Sequence, residues 1–459
     1  MINSAFLNQL AVPRSNTEFV RTAAGLAVLQ LYDSIKTHGY DPSVHDDALE
    51  AVQRDIAGTD AEPGVNRGNG VGAALGSVAQ ALPFWEKDGT VRVGRQAVYT
   101  ALLTYGQALG DEGEWRVAES VDSLVGMDAE LDGETWLAAE ARLMMGRASR
   151  MCADWEASVI AYRRAYELGT SAGDLALALR AQIGEANNLW SRGDFPGAKK
   201  QLSKAARIAR KSCPAVLPRV TLAQAGVANA AGEYERAIHL AFGLLLSLSD
   251  DDEMRYKTLV DLATFLSDYG LPAVASTALR MVERTAPEAS IRRHARLSLL
   301  FLAARQRDEM AFDTLRSALA RETLTPRQQT QYALFSAQGL RQFGRVRLAR
   351  AAAKRAIQLA NQYQLFQLVF ESEAELHALE LVHDEANETI APRYMRFDSP
   401  GESTDNEDVD VTATIFNRSA TRGKIPVRIR RIAESLVDMA DHTGAGVAVA
   451  SGSAQRSAQ

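Results

Sequence analysis

Apolar residues follow helical spacing through most of the chain, and a short signature of small residues interrupts them at regular intervals. Each clear copy has a glycine or alanine, one intervening residue, an aromatic residue and usually an alanine three positions later. The clear copies begin at Gly113, Ala153, Gly193 and Gly232, at intervals of 39 or 40 residues. Weaker copies begin at Gly270, Gln306 and Gly344. A fixed period of this length predicts an array of stacked helix pairs.

Two helical patterns flank each signature. Around Ala153, the apolar residues on either side recur every three or four positions, which indicates two helices joined by a short turn. Residues 364–383 form one more amphipathic pattern, which would cover the last pair. We therefore predict an all-α fold: a right-handed α-solenoid of about seven helix pairs with a capping helix.

The units match a known repeat pattern at several positions. One unit carries Gly146, Trp155, Tyr162 and Ala165, and another carries Ala263, Gly270, Ala275 and Pro287. These residues resemble the tetratricopeptide repeat family over residues 94–383. The units run 36 to 40 residues instead of the usual 34, which predicts slightly longer helices. The resemblance implies a binding scaffold whose groove is lined by the first helix of each pair.

Composition changes along the chain and divides it into three regions. Residues 1–92 form a predicted N-terminal helical extension, with helices at 17–38 and 43–56 and a glycine-rich linker at 58–76. Residues 93–385 form the array with its capping helix. Residues 386–459 are polar and are predicted to be largely disordered. They include one basic amphipathic helix near 426–440, for which three roles stay open: docking into the groove of its own array, recruiting a partner helix, or packing on the end of the solenoid.

Composition also narrows the function classes. The net charge is −6 and there are only two cysteines, without the spacing of a zinc site. No histidine pair, nucleophile motif or apolar run of about 20 residues occurs. We expect a cytoplasmic protein that is not an enzyme and that has no catalytic residues, metal, cofactor or membrane partner. Nucleic acid is an unlikely partner, since the basic cluster at Lys200, Lys204, Arg207 and Lys211 is better interpreted as a solvated helix face.

Aligning the units on the signature places basic residues at equivalent positions of successive first helices. Arg180, Arg219, Lys257 and Arg293 form this predicted ladder along one wall of the groove. Nearby groove positions hold Arg147, Arg150, Asn187, Trp190, Asn229, Arg296 and Gln338. Guanidinium groups bind carboxylates through charge-assisted hydrogen bonds, and amides bind peptide backbone.

The predicted function is a protein–protein interaction scaffold that binds an acidic peptide or helix of a partner protein in its concave groove. The alternative is the sensor module of a bacterial regulatory system that binds a peptide signal. A third interpretation pairs the ladder residues with carboxylates on adjacent helices, such as Glu140 or Asp174, so that they only solubilise the groove.

Overall fold

The computed structural model describes residues 16–59, 70–85, 91–249, 252–322, 324–363, 365–388 and 425–440. Within these ranges the chain is helical, without strands. The predicted all-α fold of about seven helix pairs followed by a capping helix is confirmed. The disorder predicted on either side of the basic tail helix falls almost wholly outside the described residues.

Three helices precede the array: α1 (Asn16–His38), α2 (Pro42–Thr59) and α3 (Val71–Ala81). Helix α3 begins inside the predicted linker, because complete burial of Leu75 and Val78 outweighs the low helix propensity of its glycines.

The seven pairs follow in order. They are α4 (Val91–Glu112) with α5 (Trp115–Leu131), α6 (Thr135–Met151) with α7 (Trp155–Ser171), α8 (Leu175–Ser191) with α9 (Phe195–Ser212), α10 (Leu217–Ala230) with α11 (Tyr234–Ser247), α12 (Glu253–Tyr269) with α13 (Pro272–Thr285), α14 (Ala289–Arg305) with α15 (Glu309–Leu319), and α16 (Pro326–Gln342) with α17 (Val346–Gln362). Helix α18 (Phe366–Glu388) follows the last pair, and α19 spans 427–440.

One turn geometry joins the two helices of every pair. At the α8–α9 turn, Gly193 has a φ of +82°, and the Asp194 carboxylate caps α9 by accepting from the Gly197 N–H at 2.9 Å. Left-handed backbone favours glycine because other residues bring their Cβ too close to the backbone. The spaced glycines of the sequence therefore mark the turns directly.

The turn between α14 and α15 corrects the predicted register of one unit. The residue with positive φ is Arg307, at +58°, and Asp308 caps α15 by accepting from the Ala311 N–H at 3.0 Å. The signature was placed one residue too early, at Gln306, because this unit has neither the glycine nor the aromatic residue. The position equivalent to Arg180 is therefore His294, and Arg293 is not a member of the predicted ladder.

The chain forms two compact units. Of the described residues, the first unit includes those up to Ala223 together with 324–327, 359–363 and 365–366, and the second includes those from Gln224 to Glu322 together with 328–358, 367–388 and 425–440. The predicted boundaries near 92 and 385 stay predictions.

Aromatic packing ties the N-terminal helices to the array within the first unit. Trp85 makes edge-to-face contacts with Tyr32 of α1 and with Tyr99 of α4, at ring-centroid distances of 5.3 and 5.6 Å. The Tyr32 hydroxyl also donates to Asp128 of α5 at 2.5 Å.

The second unit has a core that includes the tail helix. Residues of α10 to α14 form one buried hydrophobic cluster, and Ile429, Ile432, Ala433 and Leu436 of α19 belong to it. The structure shows α19 packed on its own array, in the cluster of α10 to α14; docking in the groove itself stays a prediction. Among the described helices, none is both long enough and apolar enough to span a bilayer.

Candidate binding face

The buried ring of Tyr162 organises the first-helix face of the first unit. It extends from α7 against glycines on two first helices, Gly146 of α6 and Gly184 of α8. A Cβ atom at Gly146 would lie 2.7 Å from the ring, and one at Gly184 would lie closer still. The two glycines therefore provide the space that this ring occupies.

Two guanidinium groups lie near the phenol of Tyr162. Burial raises the pKa of the phenol, and the guanidinium groups of Arg150 and Arg147 oppose that shift. Arg150 lies about one turn beyond Gly146, and Asn187 lies about one turn beyond Gly184. The Nε atom of Arg150 and the Oδ1 atom of Asn187 are both buried and have no hydrogen-bond partner within the described residues. Both atoms therefore have unused hydrogen-bonding capacity, and a ligand group could reach them only if neighbouring side chains moved.

Arg147 lies on the same face with much of its side chain in solvent. Its guanidinium stacks over the Trp115 ring at 5.2 Å and lies 3.9 Å from an Asp111 carboxylate oxygen. The buried Asp122 has a pKa well above its usual range because of burial, while the charge of Arg147 opposes the shift. Arg147 is 54% exposed, and a cation on an aromatic support is well placed to meet an anion.

Arg180 is engaged within the protein. Its two terminal nitrogens donate to the Glu140 carboxylate at 2.8 and 2.7 Å. Glu140 holds the equivalent position of the preceding first helix, so this contact runs along the predicted ladder. Asp174, the other carboxylate considered, instead caps α8 and accepts from the Trp136 indole N–H at 3.0 Å. A bidentate partner makes Arg180 the least available cation on this face.

The other predicted residues of the first unit differ in exposure. Trp190 is partly buried. Arg219 is exposed and has no hydrogen bond or ion pair with any described residue. Tyr162 is not among the predicted groove residues. Gly146 and Gly184, which make room for its ring, were the signal in the sequence that pointed to it.

Two of the five predicted residues in the second unit bind carboxylates within it. The Asn229 amide donates to Asp268 at 2.8 Å, and Arg296 binds Glu283 at 2.7 Å and also Glu322. The Nε atom of Arg293 and the Oε1 atom of Gln338 are buried without a hydrogen-bond partner among the described residues, and Lys257 is exposed. The Oδ1 atom of Asn229 is also buried without a partner among the described residues, so this part of the predicted groove holds three such atoms.

A metal ion would need several His, Cys, Asp or Glu side chains close together. In the described ranges, no group of three or more His, Cys, Asp or Glu side chains could hold a metal ion. Cys152 is buried, which raises the pKa of its thiol to about 12.

No protein-family model and no curated protein matches this sequence. Among solved structures, the chain is similar to the apo form of RapI, at 15% identity and a TM-score of 0.44, over 57% of this chain and 98% of that one. It is also similar to a Rap protein complexed with competence and sporulation factor, at 11% identity and a TM-score of 0.43, over 80% and 99% of the two chains. For yeast Tom70 the values are 13%, 0.32, 85% and 68%. These TM-scores are too low to assign a ligand to this chain.

Proposed function

We propose that this protein is a binding scaffold, not a catalyst, and that the first-helix face of its first unit takes a carboxylate-bearing peptide. The observation that carries the proposal is the set of polar groups around the Tyr162 hydroxyl. Arg147 and Arg150 supply positive charge there, and Asn187 lies on the next first helix, about one turn beyond Gly184. Two of these side chains hold buried atoms without a hydrogen-bond partner among the described residues.

The chemistry of these groups selects the ligand class. A guanidinium binds a carboxylate through short, charge-assisted hydrogen bonds, often two at once. An asparagine amide both donates and accepts, so it can bind a peptide group. Arg180 is satisfied by Glu140 and is left out of the proposed site. The proposal therefore moves the expected contact from the ladder to the residues beside Tyr162.

Two labelled peptide pools of equal length test the proposal. In one pool half of the positions are Asp or Glu, and in the other the same positions are Lys. We expect the full chain to bind the acidic pool more tightly in a fluorescence anisotropy titration. Replacing Arg147 and Arg150 by glutamine should weaken that binding about tenfold or more, since each lost charged hydrogen bond costs about 1.5–3 kcal/mol.

A charge-matched variant, R192Q/R207Q, serves as the control. Both arginines are exposed, one in the α8–α9 turn and one on α9, so the control loses the same net charge elsewhere. It should bind the acidic pool like the unchanged chain. Equal binding of the two pools, or equal losses in the two double variants, would rule out a specific site at Tyr162.

A further inference from the structure

Helix α13 carries buried apolar residues at two positions that are partly buried or exposed in α9; α5 also buries these positions, with Val117 and Leu124. Val274 and Met281 are buried, with 2% and 6% of their surface accessible. The equivalent positions in α9 are Gly197, which is partly buried, and Lys204, which is exposed. Packing within a helix pair leaves this face of a second helix open in α9. The two apolar side chains of α13 therefore need a cover that the repeat itself does not supply.

Helix α19 belongs to the cluster that buries them. Its residues Ile429, Ile432, Ala433 and Leu436 are buried in the same hydrophobic cluster as Val274 and Met281. These four residues follow the spacing i, i+3, i+4 and i+7, which places them on one stripe of a helix. The opposite side of α19 stays exposed, including Arg428, Arg431 and Glu434.

We propose that the second unit contains a helix-binding surface that includes α13, and that α19 is the in-chain ligand of this surface. The partner class that fits is an amphipathic helix with a four-residue apolar stripe and a charged outer side. Such a helix docks by laying its apolar face on a matching surface. The proposal does not rest on the proposed function, because it concerns other residues and another unit.

Three features separate a ligand from an ordinary core helix. Helix α19 is outside the repeat register, and 38 residues separate it from the end of α18. It contacts the cluster through one stripe only, unlike α12, which is buried on most sides. Its attachment to the same chain gives it a high effective concentration, so it would exclude free helices of similar affinity.

The test uses the full chain with Ile429→Asp and Leu436→Asp, which should release α19 from the surface. The probe is a labelled peptide with the sequence of residues 425–440. We expect this variant to bind the peptide at least about tenfold more tightly than the unchanged chain, in which α19 already occupies the surface. A peptide with the same two aspartates should not bind, and a peptide with Glu434→Gln, which changes the exposed side, should bind normally.

Several results would overturn the proposal. Equal binding of the peptide by the variant and by the unchanged chain would place its site elsewhere. Cooperative loss of helical circular dichroism in the variant would show that α19 is an integral core element. Failure of a folded variant to bind the peptide would exclude a separable site. A concentration-dependent dimer of the unchanged chain in sedimentation, lost in the variant, would assign the surface to a second copy of α19.

Discussion

Helices α9 and α13 are both second helices of their pairs, but their outward surfaces differ in polarity. Helix α9 exposes Lys200, Lys204 and Arg207, whereas in α13 the exposed side chains are Arg280 and Arg284. Their inward residues are similar, since Ala198 and Ala275 are both fully buried after the turn. The repeat signature therefore specifies the inward face only. The outward face is free to differ, and this is where individual pairs acquire their own contacts.

Making α13 resemble α9 should have the largest effect. We expect Met281→Lys to lower the free energy of unfolding by about 3 kcal/mol, because a charge would enter a hydrophobic cluster without a partner. Urea denaturation followed by circular dichroism measures the change. A loss below about 1 kcal/mol would mean that α13 and α19 are not packed together as described.

A smaller effect should come from a carboxylate on α12, which packs against α13. Burial raises the pKa of Asp261 from 3.8 to about 6, and no charged group contributes to the shift. Because the folded state favours the neutral acid, this group's contribution to stability is full below about pH 4 and is lost as the pH rises through 6. The asparagine in Asp261→Asn does not ionise. The free energy of unfolding of this variant, relative to that of the unchanged chain, should therefore rise by about 2 kcal/mol between pH 4 and pH 7.

Urea denaturation of both proteins at the two pH values gives this difference. Asp55→Asn, which changes an exposed carboxylate of α2, is the matched control and should show little dependence. A difference that stays constant with pH would contradict the raised pKa of Asp261.

The converse change on α9 should have the smallest effect. Lys204→Met places the residue type of α13 on the exposed face of α9, where it buries little surface. We expect the free energy of unfolding to change by less than about 0.5 kcal/mol. The same denaturation assay applies, and a large stabilisation would mean that α9 also has a cover.

Much of the fold could be predicted because its cause is local. A residue in left-handed backbone favours glycine, so Gly113, Gly193 and Gly232 marked turns in the printed sequence. Glycine spacing does not locate the turn at Arg307, which has the same backbone geometry without a glycine. The capping residue Asp308 is the remaining signal there.

The binding face was harder to predict because side-chain partners are not local. Arg180 and Glu140 are 40 residues apart at equivalent positions of successive units, so periodicity offered Glu140 as a partner, but it does not contain the rotamers that decide which ladder residue pairs with which carboxylate. The docking of α19 joins residues still farther apart. An apolar stripe predicts that a helix is covered, but it does not name the covering element.

The hydrophobic cluster that α13 and α19 share has a consequence for synthesis of the chain. Met281 leaves the ribosome well before Ile429, with 147 residues between them. At translation rates of about 5–20 residues per second, the apolar stripe of α13 stays uncovered for roughly 7 to 30 seconds. During that interval the nascent second unit exposes a surface that favours aggregation. Termination of translation upstream of α19 would make that exposure permanent, so shortened products should depend on chaperones more than the full chain does.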